Sequence, residues 1–244
     1  MSQARRAGRG AFEHTVLGVD MVFSSQIWAD TLFMGALFLA KWGAACGNQM
    51  YLKEAARQLL LHYEYLIDPK TNLMFHGFNC DDNSHMSAVR WGRANGWGII
   101  SSLEILDCLP VYFEERELII TNFQRHMNAI VHHQDAAGGF HTVLDRADTY
   151  LETTAVAAFV FAAAKGMKQG YLEKTYRRPM ERALAFLLKQ VDTDGTVLNT
   201  SGGTPIMKDV EEYNKIPCVM SYYGQGLAAM ALYECIDFLE GFNE

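Results

Sequence analysis

The polar and apolar positions of this chain sort into two alternating kinds of helix. Thr31–Cys46, Gly96–Cys108, Thr153–Met167 and Gly226–Phe238 carry Ala, Gly and large apolar residues on nearly every face, the pattern of helices covered on more than one side. Between them, Tyr51–Ile67, Phe113–His133 and Tyr171–Val191 interleave charges with Leu, Ile, Phe and Ala at three- and four-residue spacing. That spacing predicts outer helices with one wet face. Pro179 interrupts the last of these and predicts a break, with regular helix starting near it. Turn-rich stretches such as Asp135–Gly139 and Asp192–Gly195 follow the outer helices and lead into a few extended residues. No run of strands is long enough for a sheet core.

A repeat underlies the alternation. His62–Phe78, Ala129–Asp145 and Leu187–Gly203 are copies of one segment, and Gly8–Thr15 (GRGAFEHT) is a stub of a fourth. Aligned on Phe12, Phe75, Phe140 and Val197, they recur at 63, 65 and 57 residues, the period of a helical-hairpin array. Inner apolar helices, outer amphipathic helices and this period predict an all-α fold of the α/α-toroid type. Because a repeat buries its core only against its neighbours, a chain beginning at the end of a repeat is expected to leave one face uncovered. A second copy covering that edge, in a homo-oligomer, is the corresponding expectation for assembly.

Composition narrows the function. At 244 residues and 50% hydrophobic content the chain fits one large domain, 1–244. Its net charge of −7 offers no basic field for phosphate backbones, which disfavours nucleic acid as a partner. Cys46, Cys80, Cys108, Cys218 and Cys235 have no metal-type spacing and read as buried thiols. Asp30 and Lys41 interrupt the apolar stretch Ala29–Ala45, so no membrane span is expected. No apolar run follows the basic N-terminus, so it is not read as a signal peptide, and the default compartment is the cytoplasm.

The unusual polar residues gather where the inner helices begin. Asp30 follows Gln26, Ile27 and Trp28; Trp91, Arg93 and Trp97 open the second inner helix; Tyr150 and Glu152 precede the third; Tyr222, Tyr223 and Gln225 precede the fourth. In a toroid these entrances share one rim, and His76 belongs to the same side. Aromatic rings, an arginine, two carboxylates and an amide around one mouth describe a sugar site, and helix N-termini favour an anionic ligand. Each residue also has a plainer reading. Asp30 could stabilise its own helix start, Trp91 and Trp97 could be core, and His76 could be a satisfied loop histidine. Arg93 is harder to place so, because a buried cation needs a carboxylate, a ring face or a ligand.

The strings IWADTLFMGALFLAK, MFHGF, RWGRANGW, GGFHTVLD, YLETTAVAAF, SGGTPIMKDVEEYNKIP and YYGQGLAAMAL resemble, in order, those of glycoside hydrolase family 105. These are the unsaturated rhamnogalacturonyl hydrolases, related to the unsaturated glucuronyl hydrolases of family 88. The resemblance runs from Gly10 to Leu239. It implies an (α/α)6 barrel that needs no metal or other cofactor. The implied reaction releases a 4,5-unsaturated uronic acid from the non-reducing end of pectin-derived acidic oligosaccharides. By the same resemblance Asp30, the Asp of the W-x-D motif, is the acid and then the base. Trp28, His76, Trp91, Arg93 and Trp97 bind the unsaturated uronate, with Arg93 the natural partner of its carboxylate.

The family carries a further Asp in the helical unit before W-x-D. Only Gly8–Thr15 of that unit is represented, and seven helices fall short of the twelve that close the barrel, so an N-terminally truncated toroid is expected. Asp20, in TVLGVDMVFSS, has no assignable role. The alternative to an active hydrolase is a weakened or inactive toroid fragment that binds acidic oligosaccharides; a lesser one is an epimerase-type isomerase.

Overall fold

The computed structural model describes residues 4–15 and 23–240; Asp20 lies outside them. The first inner helix follows β3 (Gln26–Trp28) and has two parts, a π-helical segment Leu32–Leu37 and α1 (Phe38–Ala45). Its outer partner α2 (Gln49–Leu66) is capped by Asn48, whose side chain accepts from Met50 N–H. α3 (Gly92–Cys108) pairs with α4 (Arg116–Val131), and α5 (Thr153–Lys168) with α6 (Arg177–Leu188). The short α7 (Val210–Asn214) precedes the last inner helix, α8 (Tyr222–Glu234), and α9 (Ile236–Glu240) follows it. α3 packs against the π segment, α1 and α5, and α5 packs against α8. The inner helices therefore form one continuous row. This is the mostly helical, toroid-type arrangement that the alternation predicts.

The repeat is visible as a recurring turn. In the stub, β1 (Arg6–Ala7) pairs antiparallel with β2 (Ala11–Phe12), just as Ile67 pairs with Met74 and Val191 with Val197 after two of the outer helices. Phe12, Phe75, Phe140 and Val197 are all buried. Gly8 and Gly10, at φ +51° and +95°, turn the stub back on itself. β3 pairs with β4 (Gly77–Asn79) in the register Ile27 to Phe78, which draws the His76 loop to the start of the first inner helix.

Several boundaries differ from the sequence pattern for identifiable reasons. α3 begins at Gly92, ahead of the expected Gly96, because Gly92 fits against the His141 carbonyl, where a Cβ would lie 2.9 Å from its oxygen. α8 begins at Tyr222 because the Ser221 side chain accepts from Gly224 N–H. α6 begins two residues before Pro179, which sits in the first turn, where a missing N–H breaks no intrahelical bond. The cysteine expectation needs correction: all five are free thiols, but only Cys235 is buried, and Cys46 and Cys218 are exposed.

Burial along the inner row is also uneven. α5 is buried on nearly every face, as predicted. By contrast, Met34, Phe38 and Trp42, four residues apart on the first inner helix, are exposed, as are Tyr222 and Tyr233 of α8. Each of these helices has a single inner neighbour among the described residues, so one apolar face stays open. Among the described residues, no helix is long and apolar enough to cross a membrane.

Two histidines lie inside the hairpins. His62 donates Nδ1–H to the Gln58 carbonyl, and His126 bridges the Tyr63 hydroxyl and Asn95 Oδ1. Burial pushes their pKa values down to about 4 and about 3 respectively. In the unfolded chain both titrate near 6.5, so below that pH the unfolded state binds protons that the folded state excludes. The stability they contribute is complete above about pH 6.5. It drains as pH falls toward 4 and then 3, at up to about 1.4 kcal/mol per pH unit for each histidine. Urea midpoints measured from pH 7.5 to 4.5 should therefore drop steeply below pH 6.5. A flat profile over that window would contradict neutral burial of these rings.

Candidate active site

A cavity of about 470 Å³ opens where the inner helices begin, lined by His14, Phe23, Trp28, Asp30, Phe33, Met34, Trp91, Arg93, Trp97, Tyr223 and the loop Gly203–Pro205. A groove of about 620 Å³ along α2 is larger, but it is lined by charged and aliphatic side chains and contains no ring. The aromatic cavity is the one with the composition of a sugar site.

Asp30 is the acidic side chain among these lining residues. Its Oδ2 faces His76 Nε2 at 3.1 Å, and its Oδ1 accepts from Trp97 Nε1–H at 3.2 Å. Burial is the largest single influence on its pKa and pushes it up. The hydrogen bond from His76, with the positive character that His76, His14 and Arg93 bring to this wall, together outweigh burial and hold the carboxyl below the usual carboxylate range. Desolvation and the positive end of a helix N-terminus pull a first-turn carboxylate in opposite directions. The lowering does prevail, but it comes from side chains brought in from elsewhere in the chain.

The six residues singled out from the sequence do converge here, though two of them stand differently from expectation. Trp28 stacks face to face on His14, with ring centroids 4.2 Å apart and planes 5° apart, and both line the cavity. Trp91 and Trp97 are buried and still present part of a ring to it. His76 was expected to touch the ligand. It is only 1% exposed and sits behind Asp30, with Nε2 on Asp30 and Nδ1 on the Tyr213 hydroxyl at 2.7 Å.

Arg93 was expected to clamp the ligand carboxylate, but both of its Nη atoms are engaged within the protein. Nη1 donates to Ser201 O and Oγ, each at 2.8 Å, and Nη2 to Gly202 O at 2.8 Å and Thr204 Oγ1 at 3.2 Å. Its guanidinium lies between the Trp91 and Tyr223 rings, 4.4 and 4.6 Å from their centroids. Arg93 thus draws the 201–204 loop over the cavity and lends its charge to the wall.

The two other rim groups are structural. Glu152 is fully buried, caps α5 through Ala155 N–H, and also accepts from Ser201 N–H and Oγ. Gln225 bridges Val197 N–H and the Gly195 carbonyl. Sequence reasoning assigned no role to His14 or Tyr213. His14 could have been found from the repeat itself, since three copies place a histidine one or two positions after the aligned Phe, at His14, His76 and His141. Among the described residues, no three His, Cys, Asp or Glu side chains come together as a metal cluster.

Comparison with known proteins gives the family. Residues 1–239 match the pattern of Glycosyl Hydrolase Family 88. The chain belongs to this family. It is 36% identical over 229 residues to the unsaturated rhamnogalacturonyl hydrolase YesR of Bacillus subtilis, an alignment covering 93% of this chain and 65% of that protein. A crystal structure from Salmonella enterica serovar Paratyphi A, described as a possible member of the GH105 family, superposes with a TM-score of 0.91 at 32% identity. That match covers 98% of this chain and 63% of the Salmonella one. A Klebsiella pneumoniae structure described in the same words gives 0.91 at 32%, covering 97% and 62%. This family 88 chain thus spans a little under two thirds of the length of these relatives.

Proposed function

We propose that this chain acts as one catalytic unit over 1–244 and releases a 4,5-unsaturated uronic acid from the non-reducing end of rhamnogalacturonan-type oligosaccharides. The observation that carries the reading is a carboxylate, Asp30, the acidic side chain among the described residues lining an aromatic cavity, held by two N–H groups. Ordinary glycoside hydrolysis uses two carboxyl groups flanking the glycosidic bond; among the described residues the other rim carboxylate, Glu152, is taken up in capping. Hydration of an enol ether needs only one. Asp30 gives its proton to C4, and the resulting carboxylate takes a proton from the water that adds at C5. The C5 hemiketal then opens to a ketone, and the former glycosidic carbon, now a hemiacetal, expels the remaining sugar chain. His14, Trp28 and Trp97 supply ring faces, and Arg93 supplies positive charge for the uronate.

The groups around Asp30 hold it as the carboxylate. An entering uronate places a second negative charge beside it and displaces water, and both effects raise its pKa. The active form is protonated Asp30. Accordingly kcat/KM should decline with rising pH from an acidic limb, and the corresponding limb in kcat should lie at higher pH. A kcat/KM that rises through neutrality would contradict the acid role. The direct test uses the ultraviolet absorbance of the conjugated alkene: unsaturated galacturonyl-rhamnose should lose it on incubation with the protein. Persistent absorbance with folded protein overturns the hydrolase reading, and retained binding of the disaccharide would then favour a binding toroid.

A further inference from the structure

Behind Asp30 the structure places a buried chain of hydrogen-bonding groups from three distant parts of the sequence. Asp30 Oδ2 meets His76 Nε2 at 3.1 Å, and His76 Nδ1 meets the Tyr213 hydroxyl at 2.7 Å. Tyr213 comes from α7, which the Asp209 side chain caps through Glu212 N–H. Its side chain is fully buried, against His76 and near Trp91. Burial, with a contribution from the negative charge of Asp30, pushes the phenol up and keeps it neutral. It therefore has one proton to give. Met207 N–H and the Ser87 hydroxyl lie on the oxygen side of the phenol, and Ser87 Oγ makes no hydrogen bond of standard geometry. His76 Nδ1 is the well-formed destination for the phenolic proton.

We propose that Tyr213 is a positioning residue that holds His76 in its neutral Nε2–H tautomer, so that His76 offers Asp30 a hydrogen bond without a full positive charge. The proposal rests on the hydrolase reading for its link to catalysis. Its hydrogen-bond bookkeeping is closed: Tyr213 O–H donates to Nδ1, Nε2–H donates to Asp30 Oδ2, and Trp97 Nε1–H, a donor only, occupies Oδ1. An imidazolium in the same place would need Tyr213 to accept from Nδ1–H and turn its own proton elsewhere. It would also add a cation beside Arg93, whose charge already faces Asp30 from α3, and beside His14 of the segment after β2, whose pKa burial pushes down. Asp30 would then be locked as a carboxylate, which is useless for protonating carbon. The tyrosine thus protects the ability of Asp30 to take up a proton when the anionic ligand arrives.

The tautomer is read directly from the ¹⁵N shifts of the His76 ring, without substrate. In the wild-type protein at neutral pH, Nδ1 should appear unprotonated and Nε2 protonated. Tyr213→Phe, which keeps the ring and removes the donor, should shift both signals toward the imidazolium. Ser87→Ala should leave them unchanged. In the absorbance assay, Tyr213→Phe should move the alkaline limb of kcat/KM down by about one pH unit. The loss is then roughly tenfold above the limb and small below it. A merely structural tyrosine would lower activity equally at all pH values. A wild-type His76 protonated at Nδ1, or a Tyr213→Phe protein with unaltered ring shifts and pH profile, overturns the proposal. The expected shifts in a protein that leaves the alkene intact would support the tautomer assignment and overturn only the hydrolase reading.

Discussion

Asp30→Asn should abolish alkene hydration, lowering kcat by roughly 10³-fold, within the range of about 10²–10⁴ that a positioned acid supplies. Asparagine fills the same space, and its Oδ1 can still accept from His76 Nε2–H. It has no proton of useful acidity for C4. One N–H, that of Trp97 or of His76, must give up its acceptor, at a cost of about 1 kcal/mol. The fold should survive that change. Measured loss of ultraviolet absorbance at equal protein concentration, beside a urea midpoint close to the wild-type value, is the expected pair of results. Full activity in this variant would remove Asp30 from the acid role, whatever the substrate proves to be.

The second large effect is on stability. Arg93 is 4% exposed and joins four elements: α3, which carries it, the 201–204 loop, Glu152 before α5, at 3.8 Å, and Tyr223 of α8. Arg93→Met would strip the Ser201 and Gly202 carbonyls of their guanidinium donors, leaving each with a hydroxyl donor alone, from Tyr223 and Thr204, and would leave Glu152 buried without its counter-charge. Breaking one side of a buried ionic network typically costs about 3–5 kcal/mol. Arg93→Lys should not rescue, because one ammonium cannot span both carbonyls and stack flat between Trp91 and Tyr223. Urea unfolding of both variants tests this, with limited proteolysis reporting release of the 201–209 segment. A loss under about 1 kcal/mol in Arg93→Met would mean that the loop is held without the arginine.

How far the sequence reached follows from what kind of information each feature needs. Alternating apolar and amphipathic helices, the repeated turn and the clustering of Asp30, Trp91, Arg93 and Trp97 at helix entrances are all local patterns, and the structure reproduces them. Partner choice is not local. Nothing in the string MFHGF says that His76 reaches Tyr213, 137 residues away, and faces away from the ligand. Likewise, a cation at a helix start reads as a ligand clamp until the carbonyls of Ser201 and Gly202 are seen to occupy it. Glu152 illustrates the same limit. Its place before α5 was legible, but its commitment to Ser201 depended on a loop with no helical or strand periodicity to predict its path.

The π-helical turn Leu32–Leu37 has a consequence for how this site can vary. Such turns, rare in general, are frequent at functional sites, and this one stands between Asp30 and the regular helix α1. Each residue of an α-helix turns the chain by about 100°. Deleting one residue here would let the segment relax into ordinary helix and swing Asp30 by about that angle, away from His76 and Trp97. The stretch should therefore accept changes of side chain far more readily than changes of length, and insertions or deletions in it would silence the acid while leaving the packed row of helices intact.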